Sequence, residues 1–405
     1  MSNLQELKNK LCPNGVEFRK LGEICNFIRN GIQYKPNKDR DKKYKVSRIE
    51  TISEGIINME KVASFDIPLD SNYLLQTGDI LFSHINSLPH LGKIAYYEAS
   101  IGELYHGMNL LCFRVNEKII LSKYLYFYLK TSFFRKYIDK YARRSCNQYS
   151  LTLSNIKSIE IPIPPLEVQA EIVRILDTFT ELIKELIKEH ELRKKQYSYY
   201  RDKLLTFETD IKKVKLGNIG KISMCRRIMK NETNSVSGVP FYKIGTFGGN
   251  PDSYISEELF EEYSSKYPYP KKGYILISTS GTIGKLVVFD GLPAYFQDSN
   301  IVWVDNDEDI VLNKYLYHIY KTSPWKITKG GTIARLYNGD IANTEIPLPP
   351  LDTQKRIVDI LDKFDTYTNN LQEGLPAEIE KRQKQYAYYR DELLRFEFST
   401  QTGTK

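Results

Sequence analysis

Four stretches of this chain carry arginine, lysine, asparagine and glutamine in densities that suit contact with a polyanion. They are NGIQYKPNKDRDKKYK (Asn30–Lys45), RKYIDKYARRSCNQYS (Arg135–Ser150), CRRIMKNETNSVSG (Cys225–Gly238) and KITKGGTIARLYNGD (Lys326–Asp340). Cationic side chains on loops neutralise phosphates, and arginine, asparagine and glutamine can also pair with base edges. The candidates in the first two stretches are Arg29 just before them, Asn30, Lys35, Lys38, Arg143, Arg144, Asn147 and Gln148. In the other two they are Arg226, Arg227, Lys230, Lys329 and Arg335. A charge run is also what an ordinary solvated loop shows, so no single stretch decides. Their recurrence at matched places in the two halves of the chain is the stronger signal.

Catalytic chemistry finds no comparable foothold. TSGTIGK (Thr279–Lys285) lacks the first glycine and the final Ser/Thr of a phosphate loop, and reads as a tight turn between strands. The Pro164–Pro165 and Pro349–Pro350 pairs lack the amide or carboxylate that an amino-methyltransferase tetrad needs to hold its target base. Pro251–Asp252 is not followed by the acid-x-Lys of a metal-dependent nuclease. The five histidines show no metal-ligand spacing, and the five cysteines are scattered without a C-x-x-C pair, as reduced thiols would be.

The elements that must position the basic stretches come in duplicate. RKLGEI at Arg19 returns as VKLGNI at Val214, and GDILFS at Gly78 as GYILIS at Gly273. KYLYFYLKTS (Lys123–Ser132) returns as KYLYHIYKTS (Lys314–Ser323), IPIPPLEVQAEIVRILDTF (Ile161–Phe179) as IPLPPLDTQKRIVDILDKF (Ile346–Phe364), and YSYYRDKLL (Tyr197–Leu205) as YAYYRDELL (Tyr386–Leu394). Units of about 190 residues are too long for a solenoid and suit a tandem domain pair. Each front part alternates short β-type runs (GDILFS, LLCFRV, GYILIS, KLVVF, NIVWV) with turns, and carries one short helix at the KYLY repeat. Each back part is helical, entered through a proline stop with an acid in the first turn.

Beyond that entry Ile172, Leu176, Phe179, Ile183 and Leu186 step by four and three, a coiled-coil seam. Ile357, Leu361, Phe364, Leu371 and Leu375 repeat it, weakened at Thr368. The first run predicts one helix from Leu166 to Phe207. In the second copy Gly374 and Pro376 should interrupt the helix, with a restart at Ala377–Glu378. A helix of that length needs a partner, and its own duplicate is the obvious one. Tyr197, Tyr200 and Leu204 share a face, as do Tyr386, Tyr389 and Leu393, with the arginine–aspartate pairs off it. That face serves helix-pair packing, and also suits docking of another protein, for which Tyr197, Tyr200, Arg201, Tyr386, Tyr389 and Arg390 are the candidates.

At 405 residues, with 41% hydrophobic and 27% charged residues, the chain has room for two or three globular domains. A formal charge of +8 permits an acidic partner without demanding one. Thirty tyrosines against two tryptophans supply wet, amphipathic surface, or simply replace phenylalanine in half-buried strands. The polar start MSNLQELKNK carries no signal-peptide pattern, and no apolar run reaches the length of a membrane span.

With CPNGVEFRKLGEI, the doubled IPIPPLEVQAEIVRILD and IPLPPLDTQKRIVDILD entries, and GLPAEIEKRQKQYAYYRDELL, the chain resembles the specificity subunits of type I restriction–modification systems along essentially its whole length. The resemblance implies an α+β fold: two mixed α/β target-recognition domains separated by two long antiparallel helices, a coiled-coil spacer, in a pseudo-two-fold repeat. Its divisions would be 1–160 and 211–345 for the domains, and 161–210 and 346–405 for the conserved helices, the last with a C-terminal tail. Each domain would read one half of a split, asymmetric site in double-stranded DNA, and the helices would set the spacing and dock methyltransferase subunits, two of them. Restriction–translocase subunits would complete the assembly in the cytoplasm of a prokaryotic cell. The chain itself would be non-catalytic and bind no cofactor. S-adenosylmethionine, ATP and Mg2+ would belong to the partner subunits, which methylate adenine and cleave. Two other readings stand beside this one: a non-DNA scaffold with duplicated protein-binding heads, and the specificity subunit of a fused restriction–modification enzyme.

Overall fold

The computed structural model describes residues 2–33, 44–53, 55–65, 70–145, 148–207, 211–326, 335–370 and 373–398. The chain forms two compact units: Met1–Ile187 with Ile379–Lys405, and Lys188–Glu378. Each unit is built on the same four-stranded antiparallel sheet. In the first its order is Cys25–Asn30, Leu111–Val115, Ile80–Phe82, Ile94–Tyr96; in the second it is Gly220–Ser223, Ile301–Asn306, Ile275–Ser278, Leu286–Val288. The apolar runs read from sequence supply the buried strands: Ile80, Leu81 and Phe82 are fully covered, as are Leu276 and Ile277. TSGTIGK is the turn joining two of these strands, with Gly281 and Gly284 in the left-handed region that a tight turn requires.

A two-stranded antiparallel pair closes each unit, Glu17–Lys20 against Glu160–Ile163 and Lys213–Lys215 against Glu345–Pro347. The short helices Ser122–Tyr128 and Asn313–Tyr320 pack on the sheets, burying Tyr124 and Leu125 in one unit and Tyr315 and Leu316 in the other. Helix α1, Leu166–Leu205, is continuous over 40 residues and ends two residues before the expected Phe207. The second copy is divided into α2, Leu351–Asn369, and α3, Leu375–Leu393. Gly374 marks the break: a Cβ there would stand 2.6 Å from the Thr366 carbonyl oxygen and 2.7 Å from that of Tyr367, so only glycine lets the chain approach the end of α2 so closely. The restart comes at Leu375, two residues earlier than read. Leu371 of the expected seam lies outside the described residues.

Within the second unit α1 and α2 run antiparallel: His190 meets the Thr368 carbonyl at 2.7 Å, while Tyr200, further along α1, stacks on the earlier Phe364. Within the first unit Phe179 of α1 stacks on Tyr389 of α3.

One polar residue ties each helix to its sheet domain. Gln169 is wholly buried; its amide donates to the Pro164 and Ile119 carbonyls at 2.8 and 3.1 Å, and its carbonyl accepts from Leu121 N–H at 2.8 Å. Gln354 repeats this with Pro349, Ile310 and Leu312 at 2.9, 3.1 and 3.0 Å. A Lys123–Asp177 ion pair is repeated as Lys314–Asp362. The second site adds His318, whose Nε2 meets Asp362 at 2.9 Å and whose Nδ1 faces the Tyr197 hydroxyl at 3.3 Å.

Candidate nucleic-acid interface

In the second unit the structure gathers Arg227, Lys230 and Arg335 around one open cleft of about 550 Å3, although more than 100 residues of chain separate the first from the last. Arg227 and Lys230 come from the segment that leaves strand Gly220–Ser223, where Met229 N–H donates to Glu232 and starts a short helical turn. Arg335 precedes Leu336, whose N–H donates to the Thr279 carbonyl and so fixes this segment beside the sheet.

The turn Asp298–Ser299–Asn300 organises the cleft. Ser299 has φ of +59°, a conformation rare for a residue with a Cβ. It turns its carbonyl toward both Thr279 Oγ1 (2.8 Å) and an η nitrogen of Arg335 (3.1 Å). Asp298 accepts from Arg227 Nε at 2.9 Å, and the Asn300 carboxamide oxygen accepts from Ser280 at 2.8 Å. Strain held at a turn that positions exposed polar groups is a mark of a functional site.

Sequence reading missed Lys243, Asp298 and Asn300. Lys243 follows strand Val239–Tyr242 alone, without a charge run to mark it, and pairs with Asp252 at 3.0 Å. The run QDSN (Gln297–Asn300), polar and set between two strands, was the available signal for the turn. Arg226 is not on the cleft; its guanidinium lies 5.3 Å from the ring centre of Tyr267. Lys329 lies outside the described residues.

In the first unit the matched place is a hairpin. Strands Arg143–Ser145 and Gln148–Ser150 pair antiparallel, and the second also pairs with Ile85–Asn86. Arg143, Arg144 and Gln148 are exposed on it, and Leu151 N–H donates to the His84 carbonyl as Leu336 does to Thr279. Both units therefore present candidate readers from the same corner of the same sheet. Asn30 is exposed at the end of its strand. Arg29 is packed into the fold: its guanidinium lies between the Phe27 and Tyr73 rings, at 4.3 and 4.8 Å, an η nitrogen donates to the Asn72 carbonyl, and Nε is buried. Lys35, Lys38 and Asn147 lie outside the described residues.

The docking candidates separate by burial. Tyr197 is only 5% exposed and belongs to the core of the second unit. Arg201 covers it and donates to the Lys321 carbonyl, so it lies against the tyrosine face and not off it. Tyr386, Tyr389 and Arg390 are likewise half-buried or more within the first unit, with Arg390 over the Tyr386 ring. Tyr200 keeps an exposed edge while it stacks on Phe364. The repeated residues that reach solvent are their neighbours: Tyr199 is 61% exposed and Tyr388 63%.

The domain description "Type I restriction modification DNA specificity domain" matches residues 13–193 and again 208–381. The chain is 36% identical over 290 residues to the EcoR124I/EcoR124II specificity subunit of Escherichia coli, covering 68% of this chain and 71% of that one. It is 55% identical over 283 residues to a Haemophilus influenzae chain assigned to the same subunit class, covering 68% and 72%. A solved structure from work on complex assembly and conformational transition of the type I restriction–modification system shares the fold, with a TM-score of 0.59 over 95% of this chain and 98% of that one at 19% identity. The chain belongs to the family of type I restriction–modification DNA specificity subunits. No described helix is long and apolar enough to cross a membrane.

Proposed function

We propose that this chain directs a type I restriction–modification complex to a bipartite DNA site, each sheet unit reading one half. The observation that carries this is the cleft of the second unit, where Arg227, Lys230, Lys243 and Arg335 converge beside amide side chains in a fold of the specificity family. Cations supply phosphate contact, and arginine and amide groups supply base readout. The two units keep one scaffold and differ in the residues at the reading corner, which favours an asymmetric target. Helix α1 and its α2–α3 counterpart would fix the gap between half-sites. Methyl transfer to adenine, with S-adenosylmethionine, and ATP- and Mg2+-dependent cleavage belong in this reading to partner subunits in the cytoplasm, with the chain itself non-catalytic.

Expression with the cognate methyltransferase, followed by long-read detection of methylated adenine, should return a split asymmetric motif that disappears when this chain is deleted. An unchanged methylation pattern would favour the scaffold reading.

Tyr199 and Tyr388 stand at equivalent places in the repeat, each edge-on to the next tyrosine. Exposed tyrosines are effective interface anchors, and a duplicated anchor suits two copies of one partner. Y199A or Y388A alone should reduce the methyltransferase subunits per complex from two to one, and the double variant should release both, as read by native mass spectrometry. Full assembly of the double variant would remove these residues from the interface.

A further inference from the structure

We propose that Arg227 reads a guanine base in the half-site of the second unit, and that Asp298 is the residue that positions it. The proposal rests on the DNA-specificity reading and deepens it. Arg227 Nε donates to Asp298 Oδ2 at 2.9 Å, and among the described residues no other hydrogen bond to this guanidinium is found. The two η nitrogens therefore form an open fork at the mouth of the cleft. The pair is graded in depth: the arginine side chain is 67% exposed, whereas Asp298 is 17% exposed.

Asp298 is itself held. Its Oδ2 also accepts from Ser299 Oγ at 3.3 Å, and the left-handed Ser299 is anchored through its carbonyl to Thr279 and Arg335. A fork locked at Nε loses little freedom when its η nitrogens meet O6 and N7 of guanine in the bidentate pairing that arginine geometry suits.

The aspartate also argues against a phosphate partner. A carboxylate bonded to a cation weakens that cation's attraction for a second anion, whereas a neutral base edge carries no such penalty. Lys230 provides a point charge without a planar fork and suits the backbone, whereas Lys243 is paired with Asp252. Arg335 has one η nitrogen committed to Ser299, and Arg226 lies over Tyr267. In the first unit Arg29 is packed between two rings with an η nitrogen on a backbone carbonyl, so it is not an equivalent reader.

The test uses the complete methyltransferase complex on duplexes carrying its methylation motif, each guanine replaced in turn by 7-deazaguanine, which lacks the N7 acceptor. The wild-type complex should bind about ten- to a hundredfold more weakly when one guanine, in the half-site of the second unit, is replaced. R227A complexes should bind the modified and natural duplexes equally, and R227K and D298N should show an intermediate discrimination. Discrimination at the first half-site, retained in each variant, reports that the complex is folded. If no guanine replacement separates wild type from R227A, the proposal is overturned. It is equally overturned if R227A weakens specific and scrambled duplexes alike and lowers the salt slope by about one, the signature of a phosphate contact. A wild-type complex with no preference for its motif over scrambled DNA would sink the underlying reading, a different result from either.

Discussion

Gln354→Leu is expected to lower the stability of the second unit by about 2–4 kcal/mol, because it leaves the Pro349 carbonyl and the Leu312 N–H without their partner, while the carbonyl of the exposed Ile310 can turn to water. Leucine has nearly the volume of glutamine and costs nothing in packing. What it removes is the acceptor for Leu312 N–H and the two donors to the Ile310 and Pro349 carbonyls, all at a residue with no solvent exposure. Each such orphaned group carries a desolvation cost of about 1–3 kcal/mol, partly relieved if water enters. Both tryptophans, Trp303 and Trp325, are buried in the second unit, so tryptophan emission reports its unfolding. Q354L should therefore shift the emission-detected denaturant midpoint of the purified chain strongly downward. Gln169→Leu breaks the same three bonds in the first unit, where no tryptophan lies. It should leave the emission midpoint nearly in place while raising hydrogen exchange around 119–125 and 164–172. An unchanged midpoint in Q354L would mean that water already satisfies these groups.

The glutamines show where sequence was readable and where it was not. They sit inside the two most obvious repeated strings, IPIPPLEVQ and IPLPPLDTQ, so the elements on either side were legible from the proline stops and the apolar steps. The reason for a glutamine at that step was not. Its partners Ile119 and Leu121 lie nearly 50 residues upstream, and only tertiary structure brings them together. The break between α2 and α3 was legible because glycine and proline act locally. The most exposed tyrosine of each copy was not legible, for the opposite reason. In YSYYRD three tyrosines fall within four residues, and a turn of about 100° per residue does not decide which faces solvent until both packing partners are known. The reading cleft was half legible: Arg227, Lys230 and Arg335 announced themselves by charge, whereas the Asp298–Asn300 turn depends on a positive φ at serine that no local preference forecasts.

The duplicated scaffold has also diverged in its buried polar groups, and this divergence gives the two units different responses to acid. His84 of the first unit is replaced in the second by Thr279, whose hydroxyl is bonded to Ser299. His84 and His106 are 8% and 1% exposed, and the Nδ1 of each is buried without a partner among the described residues. Nε2 of His106 lies 2.9 Å from the Leu110 carbonyl, so Nε2 carries the proton in the neutral ring and Nδ1 has only a lone pair.

Burial pushes both imidazoles down to about 4; for His106 the nearby Arg29 cation adds to this, while the Leu110 carbonyl and Asp79 oppose it. Asp79 is itself engaged by Arg114 at 2.6 Å. Because both folded-state values lie below the ordinary 6.5, the unfolded chain takes up these protons first. The stability of the first unit is then fully present above about pH 6.5, declines as pH falls toward 4, and gains no further loss from these two groups below that. A shift of this size corresponds to about 3 kcal/mol for each histidine.

In the second unit His318 is also lowered by burial, but its hydrogen bond and charge interaction with Asp362 pull the other way. Hydrogen exchange of the purified chain between pH 7 and 4.5, corrected for intrinsic rates, should therefore show protection falling in peptides covering 80–115 before tryptophan emission changes. His106→Leu should flatten that pH dependence even if it lowers stability at pH 7, since it removes one of the two titrating groups. An acid response of the same steepness in H106L would place the proton uptake elsewhere, among the carboxylates of the first unit.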